Sequence, residues 1–286
     1  MIELNNTVYC EGEGVPLVLV HAFPVDHRMW DGCAGRLIAL AAAQGDAALT
    51  IWAPDMPGAG EGPIPDAHDS GRVDTDGAYL DALDNMTDAY AQLVRDAGYE
   101  RAVWAGLSMG GYVVMDMQRR HPDMIAGVAL CDTKTSADSA DARAHRIAVA
   151  EQCERDNNVD AVMGFAQASE SDSSFKRSAG GSAMLARWIA SQPPRGIAWR
   201  QRMAAGREDL TDQLANISVP AAVVGGDKDP FSPPAAMEEL AAAMTSTKPT
   251  FTMLEDCAHF SAVEHPDEVA HVLLDLMRRV RAGENA

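Results

Sequence analysis

The segment Gly106-Leu107-Ser108-Met109-Gly110-Gly111 constrains this fold more than any other part of the chain. It fits G-x-S-x-G, a turn that presents one serine hydroxyl between a strand and a helix. The flanks match that setting: residues 101–105 read as a short buried strand and residues 109–121 as a helix. In so sharp a turn the chain passes close to itself, which favours glycine at 106 and 110. The turn also sets Ser108 at a helix N-terminus, where backbone N–H groups can receive a developing negative charge. Without these flanks the same residues would read as an ordinary glycine-flanked helix cap.

Around this junction, strands and helices alternate. Residues 17–21 (Leu-Val-Leu-Val-His) form a nearly unbroken apolar run, the pattern of a strand covered on both faces. Helices are predicted over 29–44 and 79–97, with a strand over 49–53 between them. Another strand covers 125–131. After an interruption the alternation resumes with a strand over 219–225, a helix over 234–244 and a strand over 250–254. A final amphipathic helix starts at Pro266. This order predicts an α/β fold with a mostly parallel, doubly wound sheet.

The interruption spans residues 134–207, which are helical in composition and carry no convincing strand. That segment holds 11 Lys/Arg against 8 Asp/Glu, whereas the rest of the chain holds 12 against 34. The break predicts a helical lid over 134–207, inserted between core segments 1–133 and 208–286.

The formal net charge of -19 argues against nucleic acid and anionic membranes as partners, because an acidic surface repels phosphate. Five scattered cysteines include no C-x-x-C pair, so neither a zinc site nor a disulfide framework is expected. The N-terminus lacks a basic flank followed by an apolar run, and no apolar stretch reaches the roughly 18–20 residues of a membrane span. A cytoplasmic protein is the expectation. A homodimer is compatible with this reading.

A serine hydroxyl needs an adjacent base, and that base needs an orienting acid. Both should lie beyond strand C-terminal ends, where an open parallel sheet binds its ligands. Asp229 follows the strand over 219–225, with Asp227 its nearest rival and Asp132, after the strand over 125–131, another. Among eight histidines, His259 follows the last strand and precedes the last helix, a position from which it can reach Ser108. The Met109 N–H and the Phe23 N–H are the candidate oxyanion donors. His21 reads as a structural hydrogen-bonding residue. Trp30, Trp188, Trp199 and Phe231 are candidate substrate-pocket walls, with ordinary core packing an equal alternative for each.

These motifs resemble the α/β-hydrolase superfamily over nearly the whole chain. His21-Ala22-Phe23-Pro24 looks like an H-G-F-P oxyanion loop with alanine in place of glycine, and Asp55-Met56-Pro57-Gly58-Ala59-Gly60 resembles a D-x-P-G-x-G turn. The elbow at Ser108 is similar to that of small esterases and 3-oxoadipate enol-lactonase-like members. Gly226, Asp229 and Pro233 match a G-x-x-D-x-x-x-P pattern, which supports Asp229 over Asp227. The resemblance implies a serine hydrolase that cleaves a small carboxylic ester, such as an aryl or hydroxycinnamoyl ester, through an acyl-enzyme without metal or organic cofactor. The alternatives are an enol-lactonase or carbon–carbon bond hydrolase on a small acidic substrate, a perhydrolase or cofactor-free haloperoxidase side activity, and a non-catalytic ligand receptor of the same fold.

Overall fold

The structure, a computed structural model, describes residues 2–283. Seven strands form one sheet in the order β1-β3-β2-β4-β5-β6-β7. They are β1 (Asn6–Cys10), β2 (Leu17–Val20), β3 (Ile51–Pro54), β4 (Ala102–Leu107), β5 (Ile125–Cys131), β6 (Ala221–Gly226) and β7 (Thr250–Leu254). Only β1 pairs antiparallel, against β3. It was not legible in the sequence, because Asn-Thr-Val-Tyr-Cys is half polar, half-buried and lies at the sheet edge. Every residue of β2, β4, β5 and β6 is buried, which explains why the inner strands read as continuous apolar runs.

The first helix is shorter than the sequence suggested. Residues His27–Trp30 form a 3-10 turn capped by the Asp26 carboxylate, and α1 proper is Asp31–Ala43. Similarly, α2 begins at Ala82 (Ala82–Asp96), because Tyr79 is bridged to Val73 in a loop. α3 (Met109–Arg120) follows β4 directly. Between β5 and β6 the chain makes a helical excursion through α4 (Ala140–Asp156), α5 (Ala179–Ala190) and α6 (Pro194–Gly206). α7 (Pro234–Ala243) and α8 (Pro266–Arg281) complete the flanking layers.

One buried cation fastens the excursion to the core. Arg200 on α6 is fully buried and donates to the Val25 carbonyl at 3.0 Å, the Gly58 carbonyl at 3.3 Å and Gln192 Oε1 at 3.1 Å. These acceptors hold two loops at the C-terminal edge of the sheet against the helices. β2 and β4 are neighbours, while β3 returns on the far side of β2, so the strand order reverses at that point. Such a switch point opens the crevice in which doubly wound sheets place ligands. All five cysteines are free. Among the described residues, no helix is long and apolar enough to cross a membrane.

Candidate active site

Ser108 occupies the one-residue junction between β4 and α3, with φ 55° and ψ -113°. A non-glycine residue at positive φ stores about 1–3 kcal/mol of strain and persists only where its surroundings hold it. Here the end of β5 does so. The Ser108 N–H donates to the Cys131 carbonyl at 2.9 Å, and the Ser108 carbonyl accepts from Thr133 Oγ1 at 2.7 Å.

The two glycines of the motif have steric reasons. A Cβ at Gly106 would lie 2.3 Å from the Gly110 carbonyl oxygen, and one at Gly110 would lie 2.1 Å from the Val20 carbonyl oxygen. The elbow is thus pressed against the end of β2 and the loop that carries Phe23.

His259 Nε2 lies 2.8 Å from Ser108 Oγ, and His259 Nδ1 lies 2.8 Å from Asp229 Oδ2. An ionised carboxylate only accepts, so Nδ1 carries the proton and Nε2 is left to accept from the serine hydroxyl. Asp229 Oδ1 accepts from the Phe231 N–H at 2.8 Å, which fixes the carboxylate plane. Both His259 and Asp229 are buried. Burial opposes the imidazolium, but the adjacent Asp229 charge, with Asp132 behind it, more than offsets this and raises the His259 pKa above 6.5.

The two rival acids have other contacts. Asp227 accepts from the Cys257 N–H at 3.1 Å and ties the loop after β6 to the loop after β7. Asp132 accepts from the Gly226 N–H and the Ser261 N–H, both at 3.1 Å, and so ties β6 to the segment following His259. Burial and the neighbouring Asp229 charge push the Asp132 carboxyl well above the usual range.

A further residue, Glu264, was not singled out in the sequence. Its Oε2 accepts from the Ala258 N–H at 2.9 Å and its Oε1 from the Phe260 N–H at 3.0 Å, so one carboxylate grips the backbone on both sides of His259. A glutamate five residues after a loop histidine is too common to signal this role.

The backbone N–H groups of Phe23 and Met109 donate to no protein acceptor among the described residues. The loop of Phe23 is held by His21, whose Nδ1–H donates to the Ala22 carbonyl at 2.8 Å while Nε2 accepts from the Met56 N–H at 2.8 Å. Burial lowers the His21 pKa to about 4, so the ring stays neutral and serves as a bridge between loops.

Ser108 and His259 open into a cavity of about 110 Å³. Phe23, Phe165 and Phe231 form one wall. Phe165 stacks on Phe231 at 5.3 Å between centroids, Phe23 meets Phe165 edge-on at 5.8 Å, and Phe231 meets the His259 ring at 4.8 Å. Tyr112, Lys134 and Arg146 also line it.

Of the four candidate wall residues, only Phe231 reaches this cavity. Trp30 is fully buried at the start of α1, and Trp199 is buried with its Nε1–H donating to Ser70 Oγ at 2.9 Å. Trp188 packs half-buried on the core from α5. Large rings far from the cavity mouth add more by filling the core than by facing solvent. Phe165 and Tyr112 were missed. Phe165 lies in a 3-10 turn, Asp160–Ala166, without periodicity that would reveal its direction.

Among the described residues, Asp26, His27 and Asp55 bring three ligand-type atoms together, and Asp66, His68 and Asp69 form a second such group. In the first, Arg28 pairs with Asp26 and His27 Nδ1 lies 2.9 Å from Asp55. Neither group lines the Ser108 cavity.

The model of the Alpha/beta hydrolase family matches residues 17–272. The chain belongs to that family. It is 25% identical to the pimeloyl-[acyl-carrier protein] methyl ester esterase of Aromatoleum aromaticum, with 92% of this chain and 98% of that protein covered. A thermophilic esterase from Thermogutta terrifontis, solved with malate bound, superposes with a TM-score of 0.81 at 30% identity, covering 97% of this chain and 94% of that one. The enol-lactonase from Burkholderia xenovorans LB400 shares the fold at 22% identity and a TM-score of 0.74, with 96% and 97% covered.

Proposed function

We propose that this hydrolase cleaves a small carboxylic ester by a serine mechanism. The observation that carries the reading is the continuous chain Asp229–His259–Ser108, with both links at 2.8 Å. Ser108 Oγ attacks the ester carbonyl carbon while His259 Nε2 takes the hydroxyl proton. Asp229 holds the imidazole in the required tautomer and stabilises the imidazolium. The tetrahedral oxyanion is received by the Phe23 and Met109 N–H groups, each such donor being worth about 2.7–4 kcal/mol in the transition state. Collapse expels the alkoxide, which leaves with the proton from His259. A water molecule then gives a proton to His259 and its oxygen to the acyl carbon, releasing the acid and regenerating Ser108.

The similarity to two esterases supports an ester as the substrate class. The Phe23–Phe165–Phe231 wall suits an aryl or hydroxycinnamoyl group. The helices between β5 and β6 act as the lid that carries Phe165 and Arg146 to the cavity. The test is hydrolysis of p-nitrophenyl acetate together with fluorophosphonate labelling of the wild type and of Ser108→Ala. The wild type should turn over and label, and the variant should do neither. Turnover that survives in the variant would reject the mechanism. A folded wild type that neither turns over nor labels would point to the non-catalytic receptor reading.

A second reading, an enol-lactonase or carbon–carbon bond hydrolase, uses the same nucleophile and draws support from the cations Lys134 and Arg146 on the cavity wall. A higher kcat/KM on lactones than on neutral aryl esters would favour it.

A further inference from the structure

Opposite in character to the aromatic wall is a cluster of charges around Asp138. Three cations converge on this one buried carboxylate. Lys134 Nζ lies 3.2 Å from it, Arg146 Nε 2.5 Å, and Arg207 donates to its two oxygens at 2.8 and 2.9 Å. Against the pull of burial, Arg207 and Arg146 hold the Asp138 carboxyl far below the usual range, so it stays ionised.

Arg207 is the natural counter-charge of that carboxylate. It is buried, paired bidentately, donates further to the Ala204 and Ser136 carbonyls, and lies over the Tyr112 ring at 4.2 Å. Lys134 and Arg146 are then left as two cations in excess, and both line the cavity that holds Ser108 and His259, whereas Arg207 does not. Arg146 is also aimed, since its second contact is Gln201 Oε1 at 2.9 Å.

The other acids nearby do not cancel this charge. Asp209 is exposed and accepts from the Ala137 and Thr211 N–H groups. Asp132, which lines the same cavity, is engaged by two backbone donors, and the charges that act on it are those of Asp229 and His259. Two positive charges on the wall of a small cavity, in a chain of net charge -19, form a local well for an anion. A guanidinium beside an ammonium matches the planar, two-oxygen geometry of a carboxylate.

We propose that Lys134 and Arg146 form a carboxylate subsite, and that the substrate is a short ester or lactone carrying a free carboxylate. The inference rests on the serine-hydrolase reading and narrows its substrate class. The cavity's small volume of about 110 Å³ suits a group of a few carbons between the two functions.

The experiment compares monomethyl succinate with dimethyl succinate on the intact protein at low ionic strength. The half-ester should have at least a tenfold higher kcat/KM, carried mainly by KM and eroded by added salt. Lys134→Met and Arg146→Gln should each lower the half-ester to diester ratio at least tenfold, and Lys134→Arg should retain it. Lys134 is partly exposed with a single ion-pair partner, so Lys134→Met keeps the test available if Arg146→Gln fails to fold. A wild-type ratio at or below one, or a ratio unchanged in both variants, overturns the proposal. Calorimetric binding of succinate to Ser108→Ala provides a readout that needs no turnover. Binding that is weakened by adding Lys134→Met supports the subsite, and undetectable binding rejects it. Loss of turnover and of fluorophosphonate labelling in the wild type instead rejects the serine reading alone.

Discussion

Glu264→Gln tests whether the grip on the His259 backbone governs catalysis. The glutamate accepts from the Ala258 N–H, the Phe260 N–H and the Ser173 hydroxyl, so its two oxygens serve three donors. Glutamine has nearly the same shape but only one accepting oxygen. In its best orientation it keeps the Ala258 and Ser173 contacts and turns an NH₂ group toward the Phe260 N–H. That removes one charge-assisted hydrogen bond, worth about 1.5–3 kcal/mol. It also turns the remaining two into neutral ones of roughly half the strength. The expected loss of stability is therefore about 3–6 kcal/mol, a fall in Tm of roughly 5–10 °C for a chain of this size. The catalytic effect comes through His259, whose Nε2 must stay within hydrogen-bond reach of Ser108 Oγ. Displacement on the 1 Å scale lowers turnover by about 100-fold. With p-nitrophenyl acetate, kcat should fall 10- to 100-fold with little change in KM, and the downfield Nδ1–H proton resonance of His259 should broaden or move. A fall in Tm with kcat and that resonance unchanged would refute the positioning role and leave Glu264 a purely structural residue.

Asp229→Asn should lower kcat by about 10⁴, because the amide can donate to Nδ1 and so stabilise the wrong tautomer; near-normal turnover would show that another acid orients His259. For the wild type, kcat/KM on a neutral ester should rise with pH through one ionisation whose midpoint lies above 6.5, since neutral His259 is the base and Asp229 favours its protonated form over the opposing effect of burial. A midpoint at or below 6.5 would contradict that balance. Gly110→Ala should fail to give the native elbow, because its Cβ would meet the Val20 carbonyl oxygen at 2.1 Å, whereas Gly180→Ala in α5 meets nothing within 4 Å and should be neutral or slightly stabilising; circular dichroism melting compares the two.

The alternation of strands and helices was legible because the inner strands are buried on both faces and therefore nearly all apolar. β1 escaped notice for the converse reason: an edge strand that is half-buried has little need of an apolar run. Helix starts at 29 and 79 were drawn too early, since apolar residues such as Met29 and Tyr79 pack inward from turns as readily as from helices. The roles of Asp227 and Asp132 could not be separated from that of Asp229 by loop position alone. All three follow strand ends, and only the side-chain directions differ.

The tryptophans show where sequence reasoning ends. They are conspicuous in a sequence, yet a large ring can serve the core or a cavity, and its neighbours in space decide which. Phe165, Lys134 and Arg146 reach the cavity from the long excursion between β5 and β6, where local periodicity carries no information about direction.

By itself, the sequence determined the sheet-and-helix framework and the position of the Ser108 elbow. Both follow from short-range requirements: apolar runs for doubly covered strands, and glycines at 106 and 110, where a Cβ would lie only 2.1–2.3 Å from a neighbouring carbonyl oxygen. Tertiary structure alone decided that Asp227 and Asp132 turn to backbone donors, that Glu264 grips the histidine loop, and that two unbalanced cations share a wall with the nucleophile. Those relations join residues carried by different loops and helices, and they exist only once the sheet has brought its C-terminal loops together.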